Sequence, residues 1–208
     1  MTGILLINLG TPDDPSRGSV RRYLKQFLSD KRVIDQWWVR ELIIKPIVVP
    51  IRAGASSKLY QKLWTDKGSP LKFHGISLAK KVQDLMGDAY VVELAMRYQS
   101  QSIESAIRHL QDKKVAKIIV FPLFPQYASA STGSAHEEVM RVLASYQAFP
   151  EIELINSYPT WPPMIEQFSA NARNNFEVTS YDHILFSYHG LPQRQMKKAD
   201  LFGHCQCN

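Results

Sequence analysis

An α/β fold with a doubly wound parallel sheet is predicted by two features of the sequence. Short β-branched runs are almost continuously apolar rather than alternately so, as strands covered on both faces should be. Between them lie segments whose apolar residues recur with helical period, the pattern of βαβ units with helices on both sides of a sheet. The first run is 4–9, and the segment after it places Val20, Tyr23, Leu24, Phe27 and Leu28 on one helical stripe with Arg21, Arg22 and Lys25 on the wet side. A long insertion follows, 30–87, with an aromatic and aliphatic first half and a helix-like 58–64. Strands are then predicted at 90–95, 117–121 and 152–155. Between the first two, Ile103, Ala106, Ile107 and Leu110 form a helix behind the N-cap Ser102. A third helix starts near Thr132 and carries Glu137 and Glu138; a fourth starts after Pro162 and Pro163 and carries Ile165, Phe168 and Phe176. The last predicted strand is 184–187.

The proline-rich break around Tyr158 to Pro163 sets the expected division, with 1–157 as a first α/β domain and 158–208 as the start of a second. One helix and one strand are too little for an independent domain, so the chain is expected to be a portion of a longer protein.

Composition narrows the partners. Hydrophobic residues at 45% and charged residues at 21% fit a folded globular chain and disfavour disorder. The 25 Lys and Arg against 19 Asp and Glu leave +6, without the basic block that nucleic-acid binding would ask for. Both cysteines, Cys205 and Cys207, fall in the last four residues; the body of the fold therefore has no disulfide and suits a reducing cytoplasm. No basic leader precedes the first apolar run, so a cytoplasmic location is expected. Residues 37–51 are apolar, but Arg40, Glu41, Lys45, Pro46 and Pro50 interrupt them, which argues against a membrane span. An apolar lip over a large flat ligand, contact with a membrane surface, or plain core packing all account for that stretch.

Ligands of doubly wound sheets bind beyond the carboxyl ends of the strands, so the residues there are the site candidates. After the first strand comes Gly10-Thr11-Pro12, and after the second Met96-Arg97-Tyr98. After the third, 122–134 include the small and hydroxylated run from Gln126 to Ser134, and after the fifth comes Tyr188-His189-Gly190-Leu191-Pro192. His189 carries the most chemistry, because an imidazole exchanges protons near neutral pH and binds metals; a histidine capping a turn is the plainer alternative. Arg97 closes an apolar strand and needs a carboxylate, either a ligand's or a protein acid such as Glu93 or Asp13. The remaining histidines have no metal-ligand spacing, and no glycine-rich nucleotide motif is present.

Taken together, these strand-end blocks resemble the ferrochelatase family, which inserts ferrous iron into porphyrin. The resemblance runs in order through Ile7-Asn8-Leu9-Gly10-Thr11-Pro12, Phe27-Leu28-Ser29-Asp30, Gly68-Ser69-Pro70, Arg97-Tyr98, Pro125-Gln126-Tyr127, Ser131-Thr132-Gly133-Ser134 and Ser187-Tyr188-His189-Gly190-Leu191-Pro192. It is nearest to the Gram-negative type acting on protoporphyrin. It implies two chelatase-like, Rossmann-like domains with a ligand cleft between them, the second incomplete in this chain. His189 matches the family's active-site histidine, a proton acceptor and metal ligand. Leu9, Tyr60, Ser69, Arg97, Tyr98, Tyr127 and Thr132 would line the porphyrin cleft, and Arg97 or Arg52 would meet a propionate. The family's acidic residue opposite the histidine lies in the second domain, beyond this chain, so weak binding and poor metallation are expected of the 208 residues alone. The partners implied are porphyrin and ferrous iron as substrates, with peripheral membrane contact through 37–51 and no nucleic acid. No tightly bound cofactor is expected; Cys205 and Cys207 alone cannot build an iron–sulfur cluster. A non-catalytic tetrapyrrole-binding module is the alternative function.

Overall fold

Four parallel strands make the sheet, in the order β2-β1-β3-β4. A computed structural model describes residues 1–176 and 180–203. Cys205 and Cys207 lie outside the described residues. The chain divides into two compact units, Met1–Asn156 and Ser157–Asn208, each treated by itself below.

In the first unit, β1 (Thr2–Gly10) is a central strand, flanked by β2 (Tyr90–Tyr98) and β3 (Lys117–Pro122), with β4 (Glu151–Leu154) outside β3. The order reverses between β1 and β3, the switch point at which such sheets open a crevice. Side chains alternate across β1, so Leu5 and Ile7 enter one core layer and Ile4 and Leu6 the other. The first layer is closed by α5 (Ile103–Asp112) and α6 (Ser134–Leu143) through Ile107, Leu110, Val139 and Leu143. The second is closed by Ala79 and Val82 of α4 (Pro70–Met86). Both faces are thus covered, which is why β1 reads as an apolar run broken only near its end by Asn8.

Local signals set the helix ends. Ser16 caps α1 (Arg17–Ser29) by accepting from the Ser19 N–H, and Ser102 caps α5 in the same way from Ser105. The insertion after α1, expected to hold a single helical stretch, is helical almost throughout. A short α2 (Trp37–Val39) runs into a π-helical segment (Arg40–Val48) and on into α3 (Val49–Leu63). Pro46 inside that segment has no N–H and crowds the carbonyl four residues back, so the ladder widens instead of stopping. The 17-residue α4 starts with Pro70 in its first turn and ends at Gly87, whose φ of 68° ends the helical conformation. The helix expected near Thr132 is a π-helical turn (Ser129–Gly133) continued by α6.

The second unit holds α7 (Pro162–Asn175) and α8 (Gln193–Ala199). Two expectations are corrected there. Phe176 caps α7 rather than lying inside it. Residues 184–187 form no strand: a strand needs a neighbour to satisfy its N–H and C=O groups, and no strand occurs among the described residues of this unit.

Candidate active site

The carboxyl edge of the first unit's sheet gathers the polar groups. β1 ends at Gly10, opposite Tyr98 in β2. At φ 110°, a Cβ on Gly10 would lie 2.4 Å from the Tyr98 carbonyl oxygen, so only glycine allows the two strand ends to close up. The next residue, Thr11, is buried and accepts a 3.0 Å hydrogen bond from Ser69 Oγ, which ties the head of α4 to the end of β1.

Beside this lies a charged knot centred on Asp30. Its Oδ2 accepts from Arg97 Nη2 at 2.9 Å and from the Tyr98 hydroxyl at 2.8 Å, and also from Ser134 Oγ; its Oδ1 accepts the Arg32 N–H at 2.7 Å. Arg97 Nε in turn donates to Ser134 Oγ at 2.7 Å and to the Ser134 carbonyl at 3.1 Å. The Arg97 guanidinium sits 4.7 Å from the centre of the Tyr98 ring. Burial by itself would push the Asp30 carboxyl up, but the Ser134 hydroxyl, the Arg32 N–H, the Tyr98 hydroxyl and the Arg97 cation outweigh it and hold the carboxyl below its usual range. Burial pushes the Tyr98 hydroxyl up, and its nearness to Asp30 adds to the rise.

The carboxylate that Arg97 requires is therefore Asp30, not Glu93 or Asp13. Glu93 binds His109 Nδ1 at 2.6 Å, and Asp13 accepts the Ser100 N–H at 3.4 Å. Asp30 carried a signal in the sequence. A carboxylate at the carboxyl end of a helix faces the negative end of the helix dipole, which is unfavourable unless a cation holds it there. Its side-chain partners Arg97, Tyr98 and Ser134 lie more than sixty positions away, so the sequence could not name them.

Three of the other candidates, Tyr60, Thr132 and Tyr127, connect to this knot. The Tyr23 ring meets Tyr60 edge-on at 6.2 Å and Tyr98 at 6.3 Å. Thr132 precedes the Ser134 of the knot by two residues; its hydroxyl is fully buried and has no partner among the described residues. A Cβ on Gly133 would lie 2.9 Å from both the Tyr127 hydroxyl and Arg32 Nη1, so the glycine makes room for both. Arg32 also pairs with Glu137, and Lys31 Nζ lies 2.6 Å from the same carboxylate. Leu9 is half-buried next to Gly10, whereas Arg52 stands exposed on α3 away from the knot. His189 belongs to the second unit, where it is exposed in the irregular stretch before α8. Among the described residues no group of three or more His, Cys, Asp or Glu could hold a metal ion.

Comparison with known proteins fits this arrangement. The ferrochelatase family model matches residues 1–208. The chain belongs to the ferrochelatase family. A ferrochelatase of Coxiella burnetii (strain CbuK_Q154) is 44% identical over 198 residues, covering 95% of this chain and 55% of that protein. A ferrochelatase of Legionella pneumophila (strain Corby) is 40% identical over 95% of this chain and 59% of its own length. One from Pseudoalteromonas atlantica is 37% identical over 99% of this chain and 58% of its own length. The chain thus spans a little over half the length of the ferrochelatases it matches.

Proposed function

We propose that this chain is the porphyrin-binding first lobe of a ferrochelatase together with the start of its second lobe, residues 1–157 and 158–208, and that the whole protein inserts Fe²⁺ into protoporphyrin IX to form protohaem. The observation that carries this reading is the match along the entire chain. Support comes from the gathering of Leu9, Tyr60, Ser69, Arg97, Tyr98, Tyr127 and Thr132 around the carboxyl edge of one sheet, where doubly wound folds bind ligands.

Insertion exchanges two pyrrole protons for one divalent ion, so the site must accept protons and strip water from the metal. His189 is the group for both tasks, since a neutral imidazole takes a proton or donates a lone pair to iron. The Asp30 knot has a different part. It neutralises Arg97 and fixes its plane, so the cleft wall beside the macrocycle is rigid and carries no loose charge. Arg52, exposed and outside the knot, is then the freer cation for a propionate. The unpartnered Thr132 hydroxyl supports a polar contact with the ligand.

The substrate is greasy, and the helical insertion presents an apolar ridge, with Trp37 65% and Ile51 71% exposed. No helix among the described residues is long and apolar enough to cross a membrane. This ridge supports peripheral contact with a membrane surface, from which porphyrin is taken up.

Absorbance titration with protoporphyrin, with and without Fe²⁺, tests the assignment. A protein of the relatives' full length is expected to shift the porphyrin spectrum and then convert it to that of haem. Binding without conversion would favour a non-catalytic tetrapyrrole module, and the absence of binding would exclude both.

A further inference from the structure

A second feature of the first unit falls outside the cleft just described. Along the outer side of α1 runs an open groove of 680 Å³, and none of the residues assigned to porphyrin lines it. Three cations do: Arg22 and Lys25 from α1, and Lys45 from the π-helical segment facing it. Asp13 is the acid among the lining residues, and Glu41, outside the lining, pairs with Lys45, so the three cations exceed these two carboxylates by one charge. Asp13 follows β1, while Gln99 and Ser100 follow β2. The groove therefore opens at the carboxyl ends of two parallel strands, where backbone and side-chain donors converge on ligands.

Donors stand beside the Asp13 carboxylate in the walls. The Gln26 amide oxygen accepts from the Gln99 N–H at 3.0 Å and also from its side chain, which leaves the Gln26 NH₂ group as a donor. Ser29 lines the groove as well, and its hydroxyl is buried without a partner among the described residues. Arg22 is steadied by Ser19 Oγ at 2.8 Å and Lys45 by Glu41 at 2.6 Å, so two of the cations are positioned beforehand. Point-charge lysines, a guanidinium fork and amide and hydroxyl donors suit a phosphate group.

We propose that this groove binds a phosphate group through Arg22, Lys25 and Lys45. The phosphate comes either from a soluble anion or from the headgroup of an anionic lipid, since Lys45 lies on the same segment as the exposed Leu42 and Ile47.

Calorimetric titration of the 208-residue chain with inorganic pyrophosphate, alongside flotation with phosphatidylcholine vesicles with and without phosphatidylglycerol, tests this. Arg22→Gln with Lys25→Gln should weaken the bound probe by about tenfold or more, as should Lys45→Gln combined with Lys25→Gln. Lys81→Gln, exposed on α4 and outside the groove, should change it less than about twofold. All four positions are exposed or half-exposed, and unchanged circular dichroism will show that the variants fold. An effect confined to pyrophosphate identifies a soluble phosphate, and one confined to phosphatidylglycerol vesicles identifies a lipid headgroup. Failure of both probes to bind, or binding that the groove variants leave unchanged, overturns the proposal.

Discussion

Residues 4–9 and 184–187 are both short apolar runs that end at a turn bearing polar residues, yet they meet opposite fates. In the first, Leu5 and Ile7 are 0% exposed between two flanking strands and two helical layers. In the second, Leu185 is 92% and Phe186 74% exposed, and no strand pairs with them among the described residues. The contrast shows that β-propensity proposes a strand and neighbours decide it. A run buried on both faces gains its stability from long-range pairing that it cannot supply itself.

The largest expected effect turns that contrast into a number. Ile7→Ala should cost about 2–5 kcal/mol of stability in urea unfolding of the first unit's transition. Leu185→Ala in the same 208-residue chain should stay within about 0.5 kcal/mol. Comparable costs for the two would remove the distinction between the runs.

Next in size is the knot at the sheet edge. Asp30→Asn removes the nearer of the two carboxylates facing the mostly buried Arg97 and leaves Glu138, 3.9 Å away, as the other; a loss of about 3 kcal/mol is expected. The pH dependence follows from the direction of the Asp30 shift. Its folded carboxyl is held below the unfolded range, so its stabilising contribution is complete above the unfolded value of about 4 and disappears as pH falls through the folded one. Stability curves measured from pH 6 downward should therefore converge for wild type and Asp30→Asn; parallel curves would show that the carboxylate's charge is not what holds Arg97.

The smallest effect concerns a buried histidine. His136 is buried on α6, where desolvation lowers its affinity for a proton, a bond to the Ile155 backbone opposes this, and nearby Arg32 adds to the lowering. Folding thus favours the neutral ring. Stability should be complete above about pH 6.5 and decline on acidification by at most about 1.4 kcal/mol per pH unit from this group. His136→Gln should flatten the decline between pH 7.5 and 5.5, as read by urea unfolding across that range; an unchanged slope would show that this ring is not the titrating group.

What was legible in the sequence follows the range of the interactions involved. The four strands of the first unit and the cap Ser102 depend on neighbours in the chain or on two-sided burial, and both leave marks in the residue order. The π-helical segment did not, because Pro46 and Pro50 ordinarily announce a break, and here a widened ladder absorbs the first while the second opens α3. In α4, Ser69 before Pro70 and the terminal Gly87 are helix-end signals, left unused inside the long insertion. At the site, Arg97, Tyr98 and Thr132 stood out as strand-end residues. Asp30 did not, since its role exists only once α1, β2 and α6 have met.

The most direct test of the functional account is iron insertion by a protein of the relatives' full length, followed by the loss of porphyrin fluorescence, in wild type and His189→Ala. The account expects kcat to fall by about 10²-fold or more while porphyrin affinity stays within about twofold, the mark of a group that moves protons and metal rather than one that holds the ring. Haem formation by the variant at the wild-type rate would contradict it.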